Sequence, residues 1–223
     1  MAISKFNYNS FNVTPVANKA LAFDADADGF TTASGSSMVL IKTLTASSSA
    51  TLSFVNGSSD VVLDDTYPVY LFKFIDIHPS ADDAMFTVGF RDGDTDYDAT
   101  KTTTAFECFA KETAGGGSTS LGYSSGSDLA QSTNFQYINT ANGIGNGNDE
   151  CLNGELTLFN PSSTTFVKHF IATCQYQHFE NYSANDRVGG YCNVTAAIDA
   201  VQFKMHSGNI DAGTIKLYGI ADS

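Results

Sequence analysis

The chain has few charged residues, few cysteines and no long apolar run. Only 16% of its 223 residues are Asp, Glu, Lys or Arg, so Ser, Thr, Asn and Gly supply most of the polarity. Four cysteines are too few for a disulfide-stapled scaffold, which predicts reduced thiols. No segment approaches the roughly 18 apolar residues of a membrane-spanning helix, and the residues after Met1 lack the apolar core of a secretory signal.

Basic residues are the scarcer of the two charged classes. Eleven Lys and Arg stand against 24 Asp and Glu, which gives a formal net charge of −13. Binding to a nucleic-acid backbone needs Lys and Arg to displace counterions, so this balance argues against a nucleic-acid partner. The acidic surface fits either a role in solubility or a calcium-dependent surface.

Strand-forming sequence is abundant. The chain holds 17 Phe and 10 Tyr between turns rich in Ser, Asn and Gly, a mixture that favours strands over helices. About ten short strands with no sustained helical period predict an all-β fold, an antiparallel β-sandwich. A jelly roll is the preferred topology, although periodicity alone does not separate it from other Greek keys. The predicted strands are Met38–Thr45, Ala50–Val55, Val69–Ile77, Met85–Phe90, Thr103–Ala110, Gly154–Phe159, Thr165–Cys174, Arg187–Val194, Val201–Met205 and Thr214–Ile220.

The composition divides the chain into two parts. Residues 1–35 show little sustained periodicity and are predicted to be an extended N-terminal arm, whereas residues 36–223 form the sandwich domain. Phe6, Tyr8 and Phe11 punctuate an Asn/Ser-rich stretch of the arm. Aromatic anchors on a polar chain are typical of segments that become ordered on docking, so these three are candidate assembly residues.

The segment Val69–Ile77 has apolar residues on both strand faces. Tyr70, Phe72 and Phe74 share one face. Burial of both faces means a central strand or a strand under another layer. We therefore predict that these three aromatic residues contribute to an interface between copies of the chain. Cys108 shares its parity with Phe106 and is predicted to be a small core residue.

Two acidic segments have the alternation of a calcium loop. Asp24, Asp26 and Asp28 precede Gly29, and three carboxylates at alternate positions can converge on a hard cation when glycine permits a sharp turn. Gly35 occupies the twelfth position, where a standard EF-hand loop has a bidentate glutamate. This pattern fits either a Ca²⁺ site or a solvated acidic turn. The same two alternatives apply to the alternating aspartates of 92–98.

The segment 111–150 is rich in Gly, Ser and Asn and is predicted to be a long loop, with one short strand formed by Phe135, Tyr137 and Ile138. Tyr123, Phe135 and Tyr137 make it a candidate ligand-binding surface, because aromatic rings stack on sugar faces. A G-x-S-x-G pattern at 122–126 lacks the following helix that a nucleophile elbow needs. No nucleophile and base stand in a recognisable context, so we predict no enzymatic activity and no cofactor other than Ca²⁺.

Three long segments carry a resemblance. They are 38–86, which begins MVLIKTLT, 153–172, which begins NGELTLF, and 208–220, which reads GNIDAGTIKLYGI. Together they resemble virion structural proteins of marine tailed bacteriophages such as cyanophages. The resemblance implies a non-enzymatic virion component, either head-decorating or associated with tail or fibre, made in the host cytoplasm. We expect a homotrimer that contacts other virion proteins. The alternative is a fibre head that binds a host-surface glycan or receptor.

Overall fold

A computed structural model of the chain describes residues 21–23, 30–32, 37–113, 117–140 and 143–221. Within these ranges almost all regular structure is β, apart from one turn of 3-10 helix at Ser125–Ser127. None of the described helical residues forms a helix long and apolar enough to cross a membrane. The strands are β1 (Leu21–Phe23), β2 (Phe30–Thr32), β3 (Met38–Thr45), β4 (Leu52–Val55), β5 (Val69–Pro79), β6 (Phe86–Arg91), β7 (Lys101–Lys111), β8 (Thr119–Tyr123), β9 (Gln136–Tyr137), β10 (Leu152–Phe159), β11 (Lys168–His178), β12 (Tyr182–Cys192), β13 (Ala200–Met205) and β14 (Ile210–Ile220).

Two antiparallel sheets pack face to face, which confirms the predicted sandwich. One sheet has the order β3-β14-β5-β10-β11-β12-β7-β8, and the other has the order β4-β13-β6-β9. Eight of these strands can be numbered 1 to 8 along the chain: β3, β4, β5, β6, β9, β10, β13 and β14. With these numbers the first sheet contains the order 1-8-3-6, and the second sheet has the order 2-7-4-5. This is the strand order of a jelly roll.

Two insertions widen the first sheet beyond the jelly roll. Along the chain, β7 and β8 are inserted between β6 and β9, and β11 and β12 are inserted between β10 and β13. In the first sheet these four strands lie side by side beyond β10. The second sheet reaches this addition through its short edge strand β9. This strand belongs to the segment 124–140, which covers the inner face of the addition, and its Gln136 accepts a hydrogen bond of 2.6 Å from Thr103 of β7.

The predicted long loop 111–150 is therefore wrong in part. The segment contributes the edge strand β8, which was not predicted, and several of its residues are buried. Its short strand β9, Gln136–Tyr137, lies where the short strand was predicted. Leu129 N–H donates to the Thr103 hydroxyl at 2.8 Å, and the Ser124 N–H donates to the Ala105 carbonyl at 2.9 Å. These bonds fix the segment as the second layer over β7, because buried backbone groups need partners.

The core of the jelly roll is a cluster of phenylalanine rings. Phe72 and Phe74 of β5 pack edge-to-face against Phe203 of β13, with centroids 5.4 and 5.2 Å apart. Together with Tyr70 they are at most 2% exposed. The predicted interface role of Tyr70, Phe72 and Phe74 is therefore wrong. The layer that covers this face is the second sheet of the same chain, so no second copy is needed.

A bulge in β5 reverses the alternation of its side chains. Asp76 has a φ of 51°, and the register with β10 shifts between Leu152 and Gly154. An extra residue in one strand moves all later side chains to the opposite face. Ile77 is consequently fully buried, although Ile75 is exposed. Gly213 of β14 lies beside this bulge with a φ of 115°.

Strand β7 places Cys108 on the face opposite to the predicted one. Lys101, Thr103 and Ala105 are the buried residues of β7, whereas Phe106 is half exposed and Cys108 is only partly buried. The prediction of Cys108 as a core residue is therefore wrong. All four cysteines fall within the described ranges, and all four are free thiols.

The predicted arm lies mostly outside the described residues, and Phe6, Tyr8 and Phe11 are among those outside. The described part of it is an antiparallel pair, in which Leu21 of β1 is the partner of Thr32 of β2.

Candidate functional site

Two lysines are buried where the widened sheet meets the jelly roll. Lys101 of β7 and Lys168 of β11 are the Cα partners of Cys192 on β12, one on each side. The Lys168 Nζ donates to the carbonyls of Ser163 at 3.1 Å and Val194 at 2.7 Å, and also to that of Ala196. Burial lowers the pKa of both lysines and raises the pKa of Cys192 to about 12.

Asp186 is the most deeply buried carboxylate of the widened sheet. It lies on β12 and is 1% exposed. Its Oδ2 accepts hydrogen bonds from Thr140 N–H at 2.6 Å, from the Thr140 hydroxyl at 3.2 Å and from the Tyr176 hydroxyl at 3.2 Å. Its Oδ1 is buried and accepts no hydrogen bond from the residues that the structure describes.

A cavity of about 90 Å³ lies beside Asp186 on the inner face of β12. Ala184 lines it between two large neighbours, because its Cα partners are Tyr176 on β11 and Phe109 on β7. The small methyl of Ala184 leaves space that a larger side chain would fill. Residues that line the cavity are Phe109, Tyr176, His178, Glu180, Tyr182, Ala184 and Asp186.

Acidic groups outnumber basic ones around this cavity, where Lys111 Nζ lies 4.9 Å from the centroid of the Tyr182 ring. The Nδ1 of His178 accepts the Glu180 N–H at 2.9 Å, and burial lowers the pKa of His178, which favours the neutral ring. Glu107, the Cα partner of Asp186 on β7, has a buried Oε2 that accepts no hydrogen bond from a described residue. Burial, with a smaller contribution from Glu107, raises the pKa of Asp186 to about 6.

Phe135 and Tyr137, two of the predicted ligand-binding residues, line one groove of about 600 Å³. Phe135 lies against Gly89, and Lys204 Nζ is 4.1 Å from the centroid of its ring. Tyr137 packs near His206, with ring centroids 6.1 Å apart. The groove thus combines two aromatic rings with a lysine and a histidine.

Tyr123 is not a lining residue of that groove. It lies on the edge strand β8, is 56% exposed and packs against Phe106. Its hydroxyl hydrogen-bonds the carboxylate of Asp128, and Asp128 does line the groove. The structure therefore brings two of the three predicted residues together and connects the third through Asp128.

The acidic loop after β6 gathers three carboxylates. Oxygens of Asp92, Asp94 and Asp98 lie within 4.8 Å of one another. Two of them, Asp92 and Asp98, also lie near enough to buried Lys101 to raise its pKa, against the larger effect of burial. This acidic potential stabilises the buried ammonium of Lys101. The other predicted calcium segment, Asp24, Asp26 and Asp28, lies outside the described residues.

An apolar patch crosses the outer face of the large sheet, which we call the outer strip. The patch consists of two rows of residues that are Cα partners across neighbouring strands. One row is formed by Ile220, Val69 and Phe159, and the next row is formed by Leu40, Tyr218 and Leu71. Leu40 is 51% exposed and Phe159 is 37% exposed, and the other four are partly buried. The following row, with Lys216, Lys73 and Glu155, is charged.

No protein-family model, no curated protein and no solved structure matches this chain.

Sequence reasoning missed Asp186 and the outer strip. The predicted strand begins at Arg187 and therefore leaves out Asp186. The signal for a buried carboxylate is the position of Asp186 between Ala184 and Val188, with which it shares a strand face. The outer strip had no signal in any single strand, because its six residues come from four strands and meet only through the register.

Proposed function

We propose that this protein is a non-enzymatic structural component of a phage virion that assembles as a homo-oligomer, with a trimer as the expected state. The observation that carries the proposal is the outer strip. An antiparallel sheet with one face on the core usually has polar residues on the other face. Here two adjacent rows of the outer face are each apolar across three strands, and together the two rows span four strands of the jelly roll.

A second copy of this chain is the partner that fits the outer strip. The chain carries a net charge of −13, so its surface is acidic on average. Lys73 and Lys216 lie in the row next to the strip, and Lys73 is paired with Glu155. Basic residues beside an apolar patch complement an acidic partner surface. The jelly-roll order and the resemblance of the segments 38–86, 153–172 and 208–220 support the virion setting.

Light scattering coupled to size-exclusion chromatography tests the assembly. The wild type is expected to elute as an oligomer, and Leu40→Glu is expected to shift it to a monomer, because the substitution places a charge in the buried interface. Leu121→Glu is the matched control: Leu121 is 83% exposed on β8, at the opposite edge of the same sheet. A monomeric wild type, or equal effects of the two variants, would reject the outer strip as an interface.

Labelling intact virions with an antibody against this chain tests the setting. Labelling of the head, tail or fibre would support the proposal and give the position of the protein in the particle. Particles that remain unlabelled while infected-cell lysate reacts would contradict it.

A second function, recognition of a host-surface glycan at a fibre tip, is favoured by the groove of Phe135 and Tyr137. Aromatic rings stack on sugar faces, and Lys204, His206 and Asp128 supply hydrogen-bonding groups around them. Jelly rolls also occur as lectin domains.

A glycan array and a cell-adsorption assay, each with and without calcium, test recognition. Lys204→Gln and Tyr137→Leu are expected to abolish binding, and Phe166→Leu is the control, because Phe166 is 70% exposed outside the groove. Binding that persists in both groove variants would remove this candidate. Calcium dependence would implicate the carboxylates of Asp92, Asp94 and Asp98.

A further inference from the structure

The cavity beside Asp186 has the chemistry of a cation site. One of its lining residues is Asp186, whose Oδ2 is saturated by three donors and whose Oδ1 has none among the described residues. A buried carboxylate oxygen without a partner costs free energy, on the order of 1–3 kcal/mol or more for a charged group. We propose that this cavity binds an alkylammonium group, which donates a hydrogen bond to Asp186 Oδ1.

The walls of the cavity favour an organic cation over a metal ion. Calcium prefers six to eight oxygen ligands, whereas aromatic rings form much of this cavity. Phe109 and Tyr182 pack edge-to-face with centroids 5.3 Å apart, and His178 packs against Tyr182 at 5.1 Å. Cations are attracted to the faces of such rings, and aromatic cages recognise ammonium ligands. The Tyr182 ring already receives a cation, since Lys111 Nζ lies 4.9 Å from its centroid.

The charges around the cavity are mostly acidic. Exposed Glu180, buried Asp186 and nearby Glu107 are acids, and Lys111 beside Tyr182 is a cation. Burial lowers the pKa of His178, whose Nδ1 accepts the Glu180 N–H, and this favours the neutral ring. With a pKa of about 6, Asp186 is ionised above that pH and then lacks a counter-charge at Oδ1. An ammonium group would supply that charge and the missing donor together.

The volume limits the ligand to a small headgroup. About 90 Å³ is the space of roughly three water molecules, which suits an ammonium on one or two carbons but not a larger amine. The source is either a free small amine or the end of a lysine side chain from a partner protein. Both present the same headgroup, so the experiment has an arm for each.

Titration of the full-length protein with ethylammonium chloride, followed by NMR chemical shifts against equal sodium chloride, tests the site. Saturable one-to-one binding is expected, with guanidinium and potassium weaker. N-acetyl-lysine methylamide forms the second arm: tighter binding than ethylammonium identifies a lysine side chain as the source, and weaker binding identifies a free amine. Lack of saturation by both ammonium probes, or tighter binding of guanidinium or potassium, would overturn the proposal.

Two variants locate the binding. Asp186→Asn removes the charge and Ala184→Val fills the cavity without changing charge, and each is expected to weaken affinity by roughly tenfold or more. Asp211→Asn, an exposed site on β14, is the charge-matched control and is expected to leave affinity unchanged. Circular dichroism melting confirms that each variant is folded. If Asp186→Asn and Ala184→Val both bind like the wild type, the cavity is not the site.

Discussion

At the scale of single residues, the unusual feature is the number of ionisable groups inside a β-sandwich. Lys101, Lys168 and Asp186 are each at most 1% exposed. Buried charges are tolerated only where hydrogen bonds or opposite charges replace water. The two lysines are satisfied by backbone carbonyls, whereas Asp186 keeps one oxygen without a described donor.

Lys168 is expected to be a structural residue. Lys168→Met keeps the apolar stem but leaves the carbonyls of Ser163, Val194 and Ala196 without their donor. We expect the free energy of unfolding to fall by about 2–4 kcal/mol, measured by urea denaturation. Lys216→Met on the outer face is the control, with a change within about 0.5 kcal/mol. Equal effects of the two substitutions would contradict this role.

Asp186 is expected to make stability depend on pH. Its folded-state pKa of about 6 lies above the ordinary value of 3.8, so the folded protein favours the neutral acid. This contribution is fully present below the ordinary pKa and is lost as pH rises through about 6, by at most about 3 kcal/mol. Thr140 and Tyr176 donate to the carboxylate, and Glu107 and Cys174 are the titratable neighbours in register.

Urea denaturation of the wild type and Asp186→Asn across this range, in buffer free of amines, measures that contribution. The stability of the variant relative to the wild type is expected to increase as pH rises through about 6, because asparagine does not ionise. A difference that stays constant with pH would show that Asp186 does not titrate in this window.

At the scale of elements, the bulge at Asp76 of β5, beside Gly213 of β14, decides which residues at the end of β5 are buried. A Cβ on Gly213 would lie 2.6 Å from the Asp76 carbonyl oxygen, and its φ of 115° disfavours any other residue. The bulge therefore depends on this glycine, and burial of Ile77 depends on the bulge.

Gly213→Ala is expected to lower the free energy of unfolding by about 2–4 kcal/mol, from backbone strain and displacement of the bulge. Gly189→Ala in β12 is the matched control, because a Cβ there meets nothing within 4 Å. It is expected to be neutral or slightly stabilising in urea denaturation. A neutral Gly213→Ala would mean that the bulge relaxes without cost.

The sequence predicted the bounds of two strands closely. Met38–Thr45 has the predicted bounds, and the observed Ala200–Met205 differs from prediction by one residue. The prediction failed for β11, which begins at Lys168 instead of Thr165 and continues to His178. Phe166 shares strand parity with Phe170 and Cys174, yet it precedes the strand and is 70% exposed. Hydrophobicity alone does not distinguish a strand residue from an exposed turn residue.

At the scale of the whole molecule, we expect the outer strip to couple stability to assembly. If copies associate through it, the melting temperature of the wild type is expected to rise with protein concentration, because association stabilises the folded state by mass action. Leu40→Glu is expected to remove this dependence, and Leu121→Glu is expected to retain it. Calorimetry over a wide concentration range measures both. A wild-type melting temperature independent of concentration would contradict assembly through the strip.

The sequence by itself determined the fold class, because alternation and turn residues are local properties that a strand displays without its partners. It also singled out Phe135 and Tyr137, because aromatic residues in a polar segment are visible in the sequence. The tertiary structure alone decided which layer covers each face. Tyr70, Phe72 and Phe74 face the second sheet of their own chain, while the outer strip faces solvent. Strand register likewise brings Asp186 beside Glu107 and places small Ala184 between Tyr176 and Phe109. Cross-strand neighbours are far apart in sequence, so no local pattern records them.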